Sequence, residues 1–345
     1  MNSHIFCIVI FVTLWISACG NKAPVEPPVQ SVADTCYNDD PLTPSDSAFQ
    51  QYPYAQYSVF SIDVSPSNGW WAADVFINGW DWLIWSGVAV YNPATGEPLY
   101  YLPVGTAQWS PDGTKLLCET GFWSFDIIDA RTQALLHHVT YGREVVISGC
   151  RWSRDGMSIL FHAMGNLCRS DLDGGNMRIV VPGASRKIRE FDDTRFVGLD
   201  EQGIYYVDAH TGTRSRENIV VPEADELSFI GIQDINWDIS PDRKKILVDI
   251  NSKSGFMAGR EVGGVFLFDL EHKTARKVLP PQYWGDIYRP RWISNHRFHG
   301  SYFCRTRTLG RSLSMIWEYD LDGNTIRQVT EAWMPLYPRG SIVPR

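Results

Sequence analysis

The strongest constraint on this chain is a two-part signature that recurs six times. Its first half is an apolar residue, a Ser-Pro-Asp-Gly-like turn and a short hydrophobic strand. The clearest copies are Trp109-Ser110-Pro111-Asp112-Gly113 before Lys115-Leu116-Leu117-Cys118, and Trp152-Ser153-Arg154-Asp155-Gly156 before Ile159-Leu160-Phe161. Weaker copies stand at Val64-Ser65-Pro66, Phe191-Asp192-Asp193, Ile239-Ser240-Pro241-Asp242 and Trp292-Ile293-Ser294-Asn295. Successive copies are 45, 43, 39, 48 and 53 residues apart. The second half is an alternating strand ending in a polar turn, at Val90-Tyr91-Asn92, Ile127-Ile128-Asp129, Arg169-Ser170-Asp171, Tyr206-Val207-Asp208, Leu267-Phe268-Asp269 and Glu318-Tyr319-Asp320. A period of roughly 40–50 residues holding four short strands is how a β-propeller blade is written in sequence.

The residue types suit that geometry. Pro111-Asp112-Gly113 supplies a preset φ, a side chain that caps its own turn and a residue tolerant of positive φ. Asp173-Gly174, Asp322-Gly323-Asn324 and Thr95-Gly96 do the same for the hairpin between third and fourth strands. Runs such as Ile204-Tyr205-Tyr206-Val207 and Val265-Phe266-Leu267-Phe268 are too apolar for a strand with one wet face, and fit middle strands packed on both sides between neighbouring blades.

The string from Trp109 to Leu117, with Asp171-Leu172-Asp173-Gly174-Gly175-Asn176 some sixty residues later, resembles the WD40-like propeller repeat of TolB-type proteins. The resemblance spans about residues 57–330 and rests on two good copies and a partial one at Ser240-Pro241-Asp242. It implies an all-β, six-bladed propeller of four-stranded antiparallel blades, a fold mostly used to hold partner proteins. A seventh blade built from both termini is the main alternative. Propellers of this kind also precede prolyl-oligopeptidase-like hydrolases, but the chain runs only to Arg345 and no such domain is expected.

Ile5–Ile16 is an apolar run, broken only by Thr13, of signal-peptide length and too short to span a bilayer. The following Ser17-Ala18-Cys19 completes an ending that resembles a bacterial lipobox, which implies lipidation (palmitate among the acyl chains) of Cys19 as the mature N-terminus. An ordinary secretory signal cleaved nearby is the alternative, since Ile16 stands where Leu is commoner and the leading segment has no Lys or Arg. Gly20, rather than Asp, is compatible with sorting to the outer membrane, facing the periplasm. Pro-, Ser- and Asp-rich sequence follows and reads as a tether. The expected organisation is therefore a signal peptide over 1–18, a tether over 19–50, a propeller over 51–335 and a tail or closing strand over 336–345. A net charge of −8 argues against nucleic acid as a partner.

Chemistry is sparse. The chain lacks Gly-x-Ser-x-Gly, His-Glu-x-x-His, a phosphate loop, Gly-x-Gly-x-x-Gly and Cys-x-x-Cys, so no catalytic residue, metal site or cofactor is expected. Asp171-Leu-Asp173-Gly and Asp320-Leu-Asp322-Gly resemble the opening of a calcium loop, but lack its later Glu and sit at hairpin positions. His296 and His299 are expected on opposite faces of a turn and strand as exposed polar residues, and His137-His138 beside a blade junction. Cys36, Cys118, Cys150, Cys168 and Cys304 are odd in number. A Cys150–Cys168 bridge would have to skip a middle strand, and Cys118 is expected as a buried free thiol.

One region stands out as a binding surface. Trp70, Trp71, Trp80, Trp82 and Trp85 are five of the fourteen tryptophans and fall within sixteen residues. The first pair reads as core, and the later three as candidates for a partner protein or, less favoured, a glycan. Connections between second and third strands are short in blades two, three and four, at Gly121, Gly165-Asn166 and Gln202-Gly203. They are long in blades five and six, at Asn251 to Gly264 and Arg305 to Ser314, and blade one carries Asn78 to Ser86. The entry to blade six adds Pro280-Pro281-Gln282-Tyr283-Trp284. Arg260, Arg305, Arg307 and Arg311 accompany these aromatics, the residue types enriched at interfaces. The expectation is a non-enzymatic, membrane-tethered propeller that binds an envelope protein through Trp80, Trp82, Trp85, Tyr283, Trp284, Arg260, Arg305 and Arg307. The alternative is a propeller enzyme or lectin acting on polysaccharide, which would show three or more converging His, Asp or Glu in the central channel.

Overall fold

The computed structural model describes residues 56–78, 83–93, 97–184, 188–222, 224–225, 227–228, 236–252, 263–280, 288–305 and 312–329. Among them are six antiparallel sheets in chain order. Blade one is β1 (Gln56–Val64), β2 (Trp71–Asn78), β3 (Leu83–Asn92) and β4 (Glu97–Leu102); blade two is β5 (Thr106–Trp109), β6 (Lys115–Glu119), β7 (Ser124–Asp129) and β8 (Leu135–Thr140). Blade three is β9 (Ile147–Trp152), β10 (Ser158–Ala163), β11 (Asn166–Asp171) and β12 (Arg178–Val181); blade four is β13 (Ile188–Glu190), β14 (Arg195–Asp200), β15 (Gly203–Asp208) and β16 (Arg214–Arg216). Blade five is β17 (Leu227–Ser228), β18 (Trp237–Ile239), β19 (Lys245–Ser252), β20 (Gly263–Asp269) and β21 (Thr274–Leu279); blade six is β22 (Arg291–Ser294), β23 (Arg297–Arg305), β24 (Ser312–Asp320) and β25 (Thr325–Gln328). Strand β1 contacts β5 on one side and β22 on the other, which closes the ring. The molecule is a six-bladed β-propeller, and the seven-bladed alternative is excluded.

Alternation along the middle strands explains the closure. Six apolar clusters exist among the described residues, and each lies between two neighbouring blades. In β6, Leu116 and Cys118 join the cluster shared with blade one, whereas Leu117 between them joins the cluster shared with blade three. In β19, Ile246, Val248 and Ile250 face blade four and Leu247 faces blade six. A strand buried on both faces has no wet side to mark with polar residues, so its sequence runs almost wholly apolar.

The Ser-Pro-Asp-Gly turns behave as their chemistry requires. The Ser110 hydroxyl donates to Asp112 (2.5 Å), and Asp112 also accepts from the Thr114 N–H (3.0 Å). Ser153 and Asp155, and Ser240 and Asp242, repeat the contact at 2.6 Å each. Gly113 and Gly156 both have φ of 69°, and the same turn in blade five puts Arg243 at 62°. Trp109 and Trp152 end the innermost strands of blades two and three in equivalent places.

Blade four departs from the pattern. Its innermost strand ends at the pair Glu190–Phe196, with five residues between them, whereas blade two's ends at Trp109–Leu116, with six. The turn is one residue shorter, and a one-residue change sends a side chain to the other face. Phe191 therefore packs toward blade five, while Trp109 and Trp152 pack toward the preceding blade. Blade five departs too, because its innermost strand is in two pieces that both pair with β19.

The cysteine expectations are met for the residues described: Cys118, Cys150 and Cys168 are buried free thiols. Burial pushes the Cys118 thiol up to about 12. The Asp171 and Asp320 segments form turns, in which Asp173 Oδ1 accepts the Gly175 N–H (2.9 Å) and Asp320 Oδ1 the Asn324 N–H (2.8 Å). No cluster among the described residues could hold a metal ion. Two histidine expectations need correction. His137 and His138 lie within the outermost strand β8, with His138 Nδ1 2.7 Å from Asp126 Oδ1. His296 is exposed as expected, but His299 is buried edge-on against Trp71 of blade one, because the long strand β23 carries it into the seam that closes the ring.

Candidate functional site

Strand length sets the shape of one face. In blades two, three and four the second and third strands have five or six residues each. They have eight and ten in blade one, eight and seven in blade five, and nine each in blade six. One to four extra residues at about 3.3 Å each lift a hairpin about 3–13 Å further. Blades five, six and one are contiguous across the closed ring, where Ile316 of β24 packs into the cluster of Val59, Ala73 and Ala89. The three longest hairpins thus stand side by side. Successive strands antiparallel in every blade put the second-to-third connections and the links between blades on this same face.

Trp85 lies in β3 opposite Ile77, and Arg305 ends β23 opposite Ser312, so both belong to these lengthened hairpins. Trp80, Trp82, Tyr283, Trp284, Arg260 and Arg307 lie outside the described residues, as does Cys19. Trp71 is buried and Trp70 packs against the cluster between blades one and two, as the core reading of that pair requires.

Around the axis, polar groups join successive blades from one to six. Asp63 accepts the Trp109 N–H (2.7 Å), and Asp238 accepts the Trp292 N–H (3.0 Å). The Trp152 and Trp292 indoles donate to the Gln108 and Asp238 carbonyls at 3.3 and 3.1 Å. Arg151 donates to the Ile188 carbonyl, and Arg189 pairs with Asp238 at 2.7 Å while lying 4.5 Å over the Trp237 ring.

A second set of acids, not recognised from sequence, sits one strand further out. Glu119 accepts the Cys150 N–H (2.6 Å) and Asp249 the Tyr288 N–H (2.6 Å), each reaching into the next blade. Asp74 accepts from Ser61 and from the Ala107 backbone. Asp74, Glu119 and Asp249 occupy one repeat position, ten residues after Val64, Trp109 and Ile239, and that periodicity was the available signal. Burial raises Asp74 and Asp249 to about 7 and Asp63 to about 6, against the lowering effect of the N–H groups they accept. Burial lowers His299 to about 4. Asp63, Asp74 and Asp249 each accept a backbone N–H of the next blade, and the charges of Arg291 and Asp238 act on Asp63 across the ring, as those of Arg291 and Arg289 act on Asp74.

No protein-family model and no curated protein sequence matches the chain. Solved structures do match in fold. An oligogalacturonate lyase from Vibrio parahaemolyticus is similar at 11% identity and a TM-score of 0.50, over 80% of this chain and 79% of that one. A structure assigned as TolB from Agrobacterium tumefaciens is similar at 15% identity and a TM-score of 0.49, over 71% and 88%. Hydrazine synthase from Kuenenia stuttgartiensis is similar at 16% identity and a TM-score of 0.47, over 77% of each chain. At these identities the likeness is one of fold.

Proposed function

We propose that this chain is a lipid-anchored protein of a bacterial cell envelope whose propeller holds a protein partner on the face of blades five, six and one. The observation that carries this reading is the set of three adjacent lengthened hairpins, into which Trp85 and Arg305 fall. A rigid scaffold that extends neighbouring loops on one face is the usual support for binding. The aromatic and arginine residues of the intervening segments, Trp80, Trp82, Tyr283, Trp284, Arg260 and Arg307, supply the anchors. Cys19 supplies the membrane attachment, residues 19–50 the tether, and Gly20 favours the outer membrane, facing the periplasm.

Two experiments test the two halves. Cys19→Ala should remove the lipid mass from the N-terminus and release the chain from membranes in detergent-free fractionation; unchanged association would refute the anchor. Trp80→Ala and Trp284→Ala should each weaken capture of the partner by roughly thirtyfold, about 2 kcal/mol, and leave the melting temperature almost unchanged. Intact capture with a melting temperature lowered by many degrees would make these rings core. Capture of an acidic polysaccharide in place of a protein, with turnover, would favour the enzyme or lectin reading.

A further inference from the structure

Blades two and three carry an apolar patch on the same face, built wholly from exposed connections. Phe122 lies between β6 and β7 and is 72% exposed; Val146 precedes β9 at 49%; Met164 turns from β10 into β11 at 59%. They are contiguous. The Phe122 carbonyl accepts the Ile147 N–H at 2.7 Å, and Ile147 pairs with Ala163, which sets Val146 and Met164 side by side. Met164 also has φ of 51° ahead of Gly165 at 73°. That two-residue turn normally takes Asn, Asp or Gly first, so a large apolar side chain is presented here against the local preference.

The chain enters the propeller on this face. Gln56 opens β1 and pairs with Asn78, the last residue of β2 before the second-to-third connection. Residues 20–55 separate that point from Cys19. We infer that the patch of Phe122, Val146 and Met164 rests on the bilayer that holds the lipid anchor, so that the lengthened hairpins face a partner lying in or on that same membrane. The inference rests on the anchor reading above. Three such side chains are a weak membrane contact alone, but a tether makes the contact intramolecular, with an effective concentration in about the millimolar range. Apolar tips are suited to the headgroup–acyl boundary, and a chain of net charge −8 favours a zwitterionic surface over an anionic one.

Met157 provides an internal reference. It is 71% exposed in the turn between β9 and β10, at the opposite end of the same blade. The acylated full-length chain would be reconstituted in phosphatidylcholine vesicles and treated with hydrogen peroxide, and sulfoxide formation at Met164 and Met157 read by peptide mass spectrometry. The expected result is a Met164/Met157 rate ratio at least about fivefold lower than that of the Cys19→Ala chain without vesicles. In a Phe122→Ser variant the Met164/Met157 ratio should recover toward the vesicle-free value, with the melting temperature unchanged. A chain that floats with the vesicles yet keeps the vesicle-free ratio overturns the inference and leaves the anchor standing. A chain that does not float overturns the anchor and this inference together. Protection of Met164 that appears only when envelope proteins are added assigns the patch to a protein and also overturns it.

Discussion

Asp249 shows how much one side chain can do at a blade junction. It is almost fully buried, accepts the Tyr288 N–H of the next blade, and is raised from 3.8 to about 7. The folded state therefore holds a proton that the unfolded chain releases between about pH 4 and 7. The stabilisation from this group is fully present below the unfolded value and is lost as pH rises through 7. Asp249→Asn stays neutral at every pH and keeps an oxygen to accept the Tyr288 N–H. Its melting temperature relative to the parent should be nearly level below about pH 4, rise progressively between about pH 4 and 7, and level off by about pH 8. A difference that stays constant across that range would show that Asp249 is ionised in the folded protein. His299 works in the opposite sense, since its folded value is lowered to about 4, so the paired comparison isolates Asp249 from it. The sequence offered the shared repeat position of Asp74, Glu119 and Asp249 but not their partners, because a backbone N–H leaves no side-chain pattern.

At the scale of turns and strands, glycine positions separate two costs. Gly323 lies in the β24–β25 turn at φ of 83°, and a Cβ there would overlap the Val278 carbonyl of blade five. At Gly174 of blade three a Cβ would meet the Val139 side chain of blade two, not backbone. Gly212 has a φ of 68° with nothing within 4 Å of the Cβ position. Gly212→Ala should cost about 1 kcal/mol, the conformational term alone. Gly323→Ala should cost several kcal/mol, because backbone must move as well. Denaturant midpoints for the pair check this, and equal losses would mean that the turn is free of its neighbour. The turns were legible in sequence because Ser, Pro, Asp and Gly report local backbone demands directly. The slip in blade four was not, because Phe191-Asp192-Asp193 keeps an apolar residue and an acid while losing one residue of spacing, and the displaced side chain still finds a core.

For the whole molecule, six repeats at 39–53 residues predicted six blades, and the strand ladders bear this out. Ring closure makes blades five, six and one neighbours, and their second and third strands are the longer ones. What a face binds depends on the shape of a partner, which no repeat encodes. The direct measurement is photo-crosslinking in native membranes, with a crosslinking residue placed in turn at positions 80 and 284 and, on the opposite face, at 132 and 322. The account predicts that one envelope protein is captured from positions 80 and 284 and not from 132 or 322. Capture from 132 or 322 alone would contradict it and move the functional surface to the other face of the ring.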